Sequence, residues 1–295
     1  MDRFEFTGKY AALLSGIEIG LGSLLHSFRV PFSGQFLSLN QGLILSRACH
    51  KSRGEKWSSR APSGISNVSA VLKSLSPAGK KLTPMLAIAA QGNLFALGVI
   101  LFGNNLMGLS FGMFLLSLWA FIQPLMIYLL LFGKNLLFMA DYFIDKISKV
   151  TPVHEETLIG ILVSIIAIKI ILGQLVVIAS YYLSDQKFKM YETKLLRTKV
   201  ESSRKNLTPL RGAIKDLMNP LFLISLLLLG LFFFFSNSSA STTIWGLLRP
   251  LAGGFILFYL VRVMPMEGLS QKLKEGKFKN TGRALEKAIV YLKQI

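Results

Sequence analysis

The sequence predicts an all-α polytopic membrane protein with about eight transmembrane helices and cytoplasmic N- and C-termini. Three observations predict it. The 295-residue chain is 52% hydrophobic. Its apolar residues gather in runs close to the length of a bilayer span. Of its 33 Lys and Arg, 27 lie in four clusters between or beyond those runs. A soluble domain of this composition would show short buried runs, with charge on every element.

The first run, 10–27, follows Arg3 and Lys9, contains Glu18 and lacks a small-x-small cleavage pattern. It therefore reads as a retained helix and not as a signal peptide. A shorter segment, 34–48, is long enough for a thin crossing shielded by its neighbours, and 82–102 is the next full run. The mostly apolar stretch 106–147 is too long for one span at 1.5 Å per residue. Gln123-Pro124 sits in its middle. Proline removes a backbone donor and disfavours helix for the residue before it, which predicts a turn there and two helices, 106–122 and 125–147. Runs 157–184, 219–236 and 243–263 complete the count.

Charge placement supports eight crossings. With the N-terminus inside, all four basic clusters (3–9, 47–81, 187–215 and 262 to the end) fall on the cytoplasmic side. The opposite face receives 29–35, 103–105, 148–156 and 237–242, which carry few Lys or Arg. The division that follows is a six-helix core over 1–185, a basic cytoplasmic linker over 186–218, a transmembrane hairpin over 219–263 and a basic amphipathic tail over 264–295. In the tail, Leu285, Ala288, Ile289 and Leu292 fall at helical spacing, a pattern that suits a helix lying on the inner leaflet or on a partner.

The formal net charge of +18 comes without an RNA- or DNA-binding motif. Nucleic acid is not an expected partner, whereas anionic lipid head groups are. With Cys49 alone and three histidines (His26, His50 and His154), no disulfide, metal site or cofactor is expected. No phosphate-binding G-x-x-x-x-G-K-[ST] loop is present: Ala78-Gly79-Lys80-Lys81 has Ser74 where the first glycine belongs. Nor is there an H-E-x-x-H or G-x-S-x-G pattern, and the acids are scattered, so an enzyme is not expected.

Ionisable groups inside spans are candidates for function because burying them is costly. Glu18 is at the middle of the first run and Lys169 at the centre of 157–184. Lys134 and Asp141 are seven residues apart and so share a helix face. Asn40, Gln41, Gln91, Asn93, Gln123, Asn135 and Gln174 add uncharged polarity. Two readings stand. These residues line a ligand cavity, or they are structural, with Glu18–Lys169 and Lys134–Asp141 pairs and amides bridging helices. Ala12, Gly16 and Gly20 recur every four residues, which permits close helix approach either within the chain or against another membrane subunit.

Residues Pro31-Phe32-Ser33-Gly34-Gln35-Phe36-Leu37-Ser38-Leu39-Asn40-Gln41 follow the first run. This stretch is similar to the P-x-G-G-x-[IL]-[ST]-[LM]-x-x-[IL]-P stretch of the substrate-binding S components of energy-coupling-factor transporters. With the small-residue stripe before it, the region 1–185 resembles that family. Gln35 stands at the second glycine, and the late proline is absent. The resemblance implies capture of a vitamin-like molecule from outside, with uptake driven by a separate ATPase pair and a coupling membrane protein. It places that coupling subunit on Ala12, Gly16 and Gly20. The expected substrate residues are Glu18, His26, Arg29, Gln35, Asn40, Gln41, Asn104, Asn105, Lys134, Asp141 and Lys169. The competing readings are a membrane scaffold or assembly protein that uses its basic linker and tail to bind lipid or a partner, and a membrane-embedded lipid or isoprenoid enzyme.

Overall fold

A computed structural model describes residues 2–27, 33–73, 82–150, 155–196, 208–218, 220–236, 239–263 and 279–294. Regular structure among them is helical, without strands. In chain order the α-helices are α1 (Arg3–Ser27), α2 (Ser33–Lys51), α3 (Ala61–Lys73), α4 (Leu82–Phe102), α5 (Leu106–Phe132), α6 (Asn135–Val150), α7 (Glu155–Tyr182), α8 (Asp185–Leu196), α9 (Pro209–Leu217), α10 (Pro220–Phe235), α11 (Ala240–Val263) and α12 (Lys279–Gln294). A 3₁₀ turn, Ser58–Arg60, leads into α3. Among the described residues three helices, Thr83–Phe102, Leu106–Phe132 and Ile159–Tyr182, are long and apolar enough to cross a membrane. Their outward faces carry Leu97, Ile100, Leu129, Leu130, Ile168 and Ile171, side chains that suit hydrocarbon and not water.

The chain divides into two compact units that cut across the sequence-based boundaries. Unit 1 comprises Met1–Phe121, Ile168–Arg204 and Pro265–Ile295, and unit 2 comprises Ile122–Ala167 and Lys205–Met264. The core of unit 1 is built from Leu13, Leu14 and Ile17 of α1, Ile44 and Leu45 of α2, Ile65 and Leu72 of α3, Phe95 of α4 and Met113 of α5. Unit 2 packs Leu131, Phe132 and Met139 with Phe222, Leu229 and Phe233.

The expected loop 47–81 contains α3, which packs along α1 and α4. Its signal was present in the sequence: Pro62 stands in the first turn, and Ile65, Val68 and Leu72 follow at helical spacing and are all buried. Charged neighbours on both sides masked it. The last helix, α12, seats Ala284, Leu285 and Ala288 against α1 and α3 of the same chain. The contact is tight enough that a Cβ at Gly8 would lie 2.7 Å from Lys287 Cβ.

The turn expected at Gln123-Pro124 is absent: α5 continues through Pro124 to Phe132. The chain breaks instead at Gly133, whose φ of +62° is open to glycine without strain. A proline inside a helix deprives the carbonyl four residues earlier of its donor, here that of Ala120. The Gln35 side-chain amide fills this vacancy, donating from Nε2 to the Ala120 carbonyl at 3.1 Å. A neighbouring helix thus restores the bond that the proline removed, which is how a proline is tolerated in a membrane helix.

The α4–α5 turn was expected on the face opposite Arg47. It lies at the same end of unit 1, where Asn104 Nδ2 donates to the Cys49 carbonyl at 2.7 Å. The added helix α3 accounts for the reversal. It carries the chain back along α1, with Ser69 Oγ donating to the Ala11 carbonyl at 3.0 Å, before α4 returns.

Candidate functional site

Among the buried polar groups of unit 1, three clusters hold charged side chains, each built where helices approach closely. In the first, Lys169 of α7 reaches the opening turn of α2. Lys169 as a whole is only 5% exposed. It donates to Ser38 Oγ at 2.6 Å and to the Gln35 carbonyl. Ser38 Oγ in turn donates to the Gln35 carbonyl at 2.7 Å. Because Gln35 also holds Ala120, this cluster ties α2, α5 and α7. Among the described residues no carboxylate pairs with Lys169. An ammonium has three N–H donors, so two bonds to neutral oxygens leave one for an incoming acceptor. Gln35 Oε1 is also buried and accepts no hydrogen bond among the described residues.

The second cluster pairs Glu18 of α1 with Lys73 of α3. Lys73 Nζ lies 3.8 Å from Glu18 Oε2 and donates to the Glu18 carbonyl at 2.5 Å. Both side chains are buried. The Glu18–Lys169 pair considered from the sequence is therefore not formed, because α3 supplies a nearer cation.

The third cluster closes the other end of α2. Arg47 is buried, donates to the Leu183 carbonyl at 2.7 Å and pairs with Asp185, which Lys51 also contacts. Its guanidinium lies 5.6 Å from the centroid of the Phe188 ring. The Asp185 carboxyl is held below the ordinary carboxylate value, first by the hydrogen bond from Lys51 and then by the two cations, although desolvation opposes them. A carboxylate with a depressed folded-state pKa adds stability above its unfolded pKa and loses it as pH falls through the folded one. Melting curves in mild detergent are therefore expected to show wild type above Asp185→Asn at pH 7, with the two converging well below the reference value of 3.8.

The remaining expected residues do not converge on Lys169. Gln41 is fully buried and ties three helices, donating from Nε2 to Ser66 Oγ at 3.2 Å and to the Ile88 carbonyl at 2.9 Å. Asn40 lies beside it on α2, partly exposed. Asn104 is spent on Cys49, and Asn105 caps α5 by accepting from the Gly108 N–H at 2.9 Å. Lys134 and Asp141 are exposed in unit 2 and form no ion pair among the described residues. His26 lies in the last turn of α1, and Arg29 lies outside the described residues. Of the small-residue stripe, Ala12 is fully buried within the chain, Gly16 is half-buried and Gly20 lies further along α1. The sequence reading missed Ser38, Arg47, Lys73 and Asp185. Each is polar at a helix end or beside a charge run, where a solvated position is the ordinary expectation.

No protein-family model, curated protein or solved structure matches the chain.

Proposed function

We propose that this chain is a multi-pass component of a bacterial inner-membrane transport system that binds a small organic substrate through an anionic group at Lys169. The observation that carries this reading is the Lys169 ammonium, buried in an apolar span and facing only neutral oxygens. An unpaired charge in that setting is expensive, and such residues mark substrate or ion pathways. Ser38 and the Gln35 amide orient the group, and the substrate's carboxylate or phosphate supplies the missing counter-charge. In this reading the chain is not an enzyme, and uptake is driven by a separate ATPase pair with a coupling membrane protein, as in energy-coupling-factor systems.

The charge pattern supports eight crossings with both termini cytoplasmic. The contact between Asn104 and Cys49 favours a changed assignment, in which α3 serves as a short crossing element in place of residues 135–147. The amphipathic α6 then lies along the interface. That arrangement gathers Arg3, Arg47, Arg53, Arg60 and Lys187 on the inner face.

The alternative, a membrane scaffold or assembly protein, draws on a different observation. Glu18, Gln41 and Asn104 are all consumed by contacts within the chain. The two readings are separated by purifying tagged wild type and Lys169→Met from native membranes in mild detergent, followed by mass spectrometry of bound small molecules and proteins. The transport reading expects an anionic compound on wild type, reduced at least tenfold in Lys169→Met, with the same ATPase partners on both. A ligand-free chain without ATPases removes the transport reading and leaves the scaffold.

A further inference from the structure

Away from Lys169, unit 1 carries a groove of about 440 Å³ between the start of α1, the start of α3 and the outer face of α4. Its polar wall is Arg3, Arg60 and Asn67, and its apolar wall is Leu97 and Ile100. We infer that this groove holds an anionic phospholipid, with the phosphate between the two guanidiniums and an acyl chain along α4.

Charge is the first argument. Arg3 and Arg60 are exposed, and among the described residues no Asp or Glu lines the groove and neither arginine pairs with a carboxylate. Two guanidiniums without a counter-charge match a phosphate, whose oxygens accept their paired N–H groups.

Depth is the second. Helix α3 runs antiparallel to α4, with Ser63 Oγ donating to Asn93 Oδ1 at 2.5 Å and Gly92 packed on Ser66. Arg60, one turn before Ser63, is thereby level with Leu97 and Ile100 in the closing turns of the span Thr83–Phe102. The end of a span is the head-group level of a bilayer, and arginine is at home there. Leu97 and Ile100 are 43% and 52% exposed and offer an acyl chain an apolar track.

The amides are the third. Asn93 is exposed midway along an apolar span, a costly place for an amide against hydrocarbon. It exchanges hydrogen bonds with Asn67 at 3.2 and 3.4 Å, and the pair together presents polar edges below the arginines.

This inference is independent of the substrate proposed at Lys169. It is tested on the full-length chain in mild detergent, by native mass spectrometry with phosphatidylglycerol and phosphatidylcholine of identical acyl chains. Wild type is expected to prefer phosphatidylglycerol by about tenfold or more, within the reach of two surface guanidiniums. Arg3→Gln/Arg60→Gln is expected to lose that preference, while the charge-matched Lys187→Gln/Lys215→Gln keeps it. Leu97→Ser is expected to weaken both lipids alike. Three results would each overturn the inference: an unchanged preference in the arginine variant, an equal loss in the lysine control, or full competition by millimolar inorganic phosphate. All the substituted side chains are exposed, so melting curves should match wild type.

Discussion

Replacing Lys73 with Met is expected to destabilise the protein by about 3–5 kcal/mol, the typical consequence of stranding one member of a buried ion pair. Lys73 and Glu18 are 3% and 4% exposed, so neither charge has water to fall back on. Removing the ammonium leaves the Glu18 carboxylate without its cation and takes away a donor to the Glu18 carbonyl. The double variant Glu18→Leu/Lys73→Met is expected to lie within about 1–2 kcal/mol of wild type, because an apolar pair of similar volume removes the charge and its desolvation together. Denaturant unfolding of wild type, Lys73→Met, Glu18→Leu and the double variant in mild detergent measures the coupling. If the double variant loses the sum of the two single losses, the pair is not coupled and the packing of α3 on α1 is misassigned.

The second large effect is expected where α4 meets α5. A Cβ on Gly98 would lie 2.3 Å from the Gly112 nitrogen, and one on Gly112 would lie 2.6 Å from the Phe95 carbonyl oxygen. Both collide with backbone, which has no rotamer to relieve the clash. Gly112→Ala is expected to cost about 1–3 kcal/mol and Gly112→Leu more, by driving the two helices apart. Gly160→Ala is the contrast. Nothing lies within 4 Å of the added methyl, so the exposed helix should gain about 0.5–1 kcal/mol from alanine's higher propensity. Thermal melts of the three variants give the order directly. Stability of Gly112→Leu equal to wild type would mean that the helices are further apart than described.

The same contact shows how much was legible in the chain. Gly108 and Gly112 stand four residues apart on α5, and Gly98 faces them from α4. This is the small-residue spacing that the sequence displayed most openly in α1, at Ala12, Gly16 and Gly20. Spacing marked both stripes as packing faces but named no partner for either. Fold class was legible for a plain reason. Long apolar runs bury or solvate in lipid whatever their neighbours, and Thr83–Phe102, Leu106–Phe132 and Ile159–Tyr182 carry enough of them to declare themselves. Less legible was α5 itself. Pro124 read as a turn because the rule about its missing donor is local, whereas the Gln35 amide that answers it comes from 85 residues away.

The candidate site divides along the same line. Lys169 was marked from its own helix, since a lysine amid an apolar run is conspicuous without any structure. Its surroundings were not. Gln35 and Ser38 reach it only because α2 starts beside the middle of α7. Glu18 was equally conspicuous, yet its partner is Lys73, from a helix hidden in a basic stretch. By itself the sequence determined that the chain is helical, with helices long and apolar enough to cross a membrane, and that a few charges are held inside it, because hydropathy and periodicity are properties of single segments. The tertiary structure alone decided which charge is neutralised, which carbonyl is rescued and which cation is left open, because those outcomes depend on which helices lie within 3 to 4 Å of one another, roughly the reach of a hydrogen bond or ion pair.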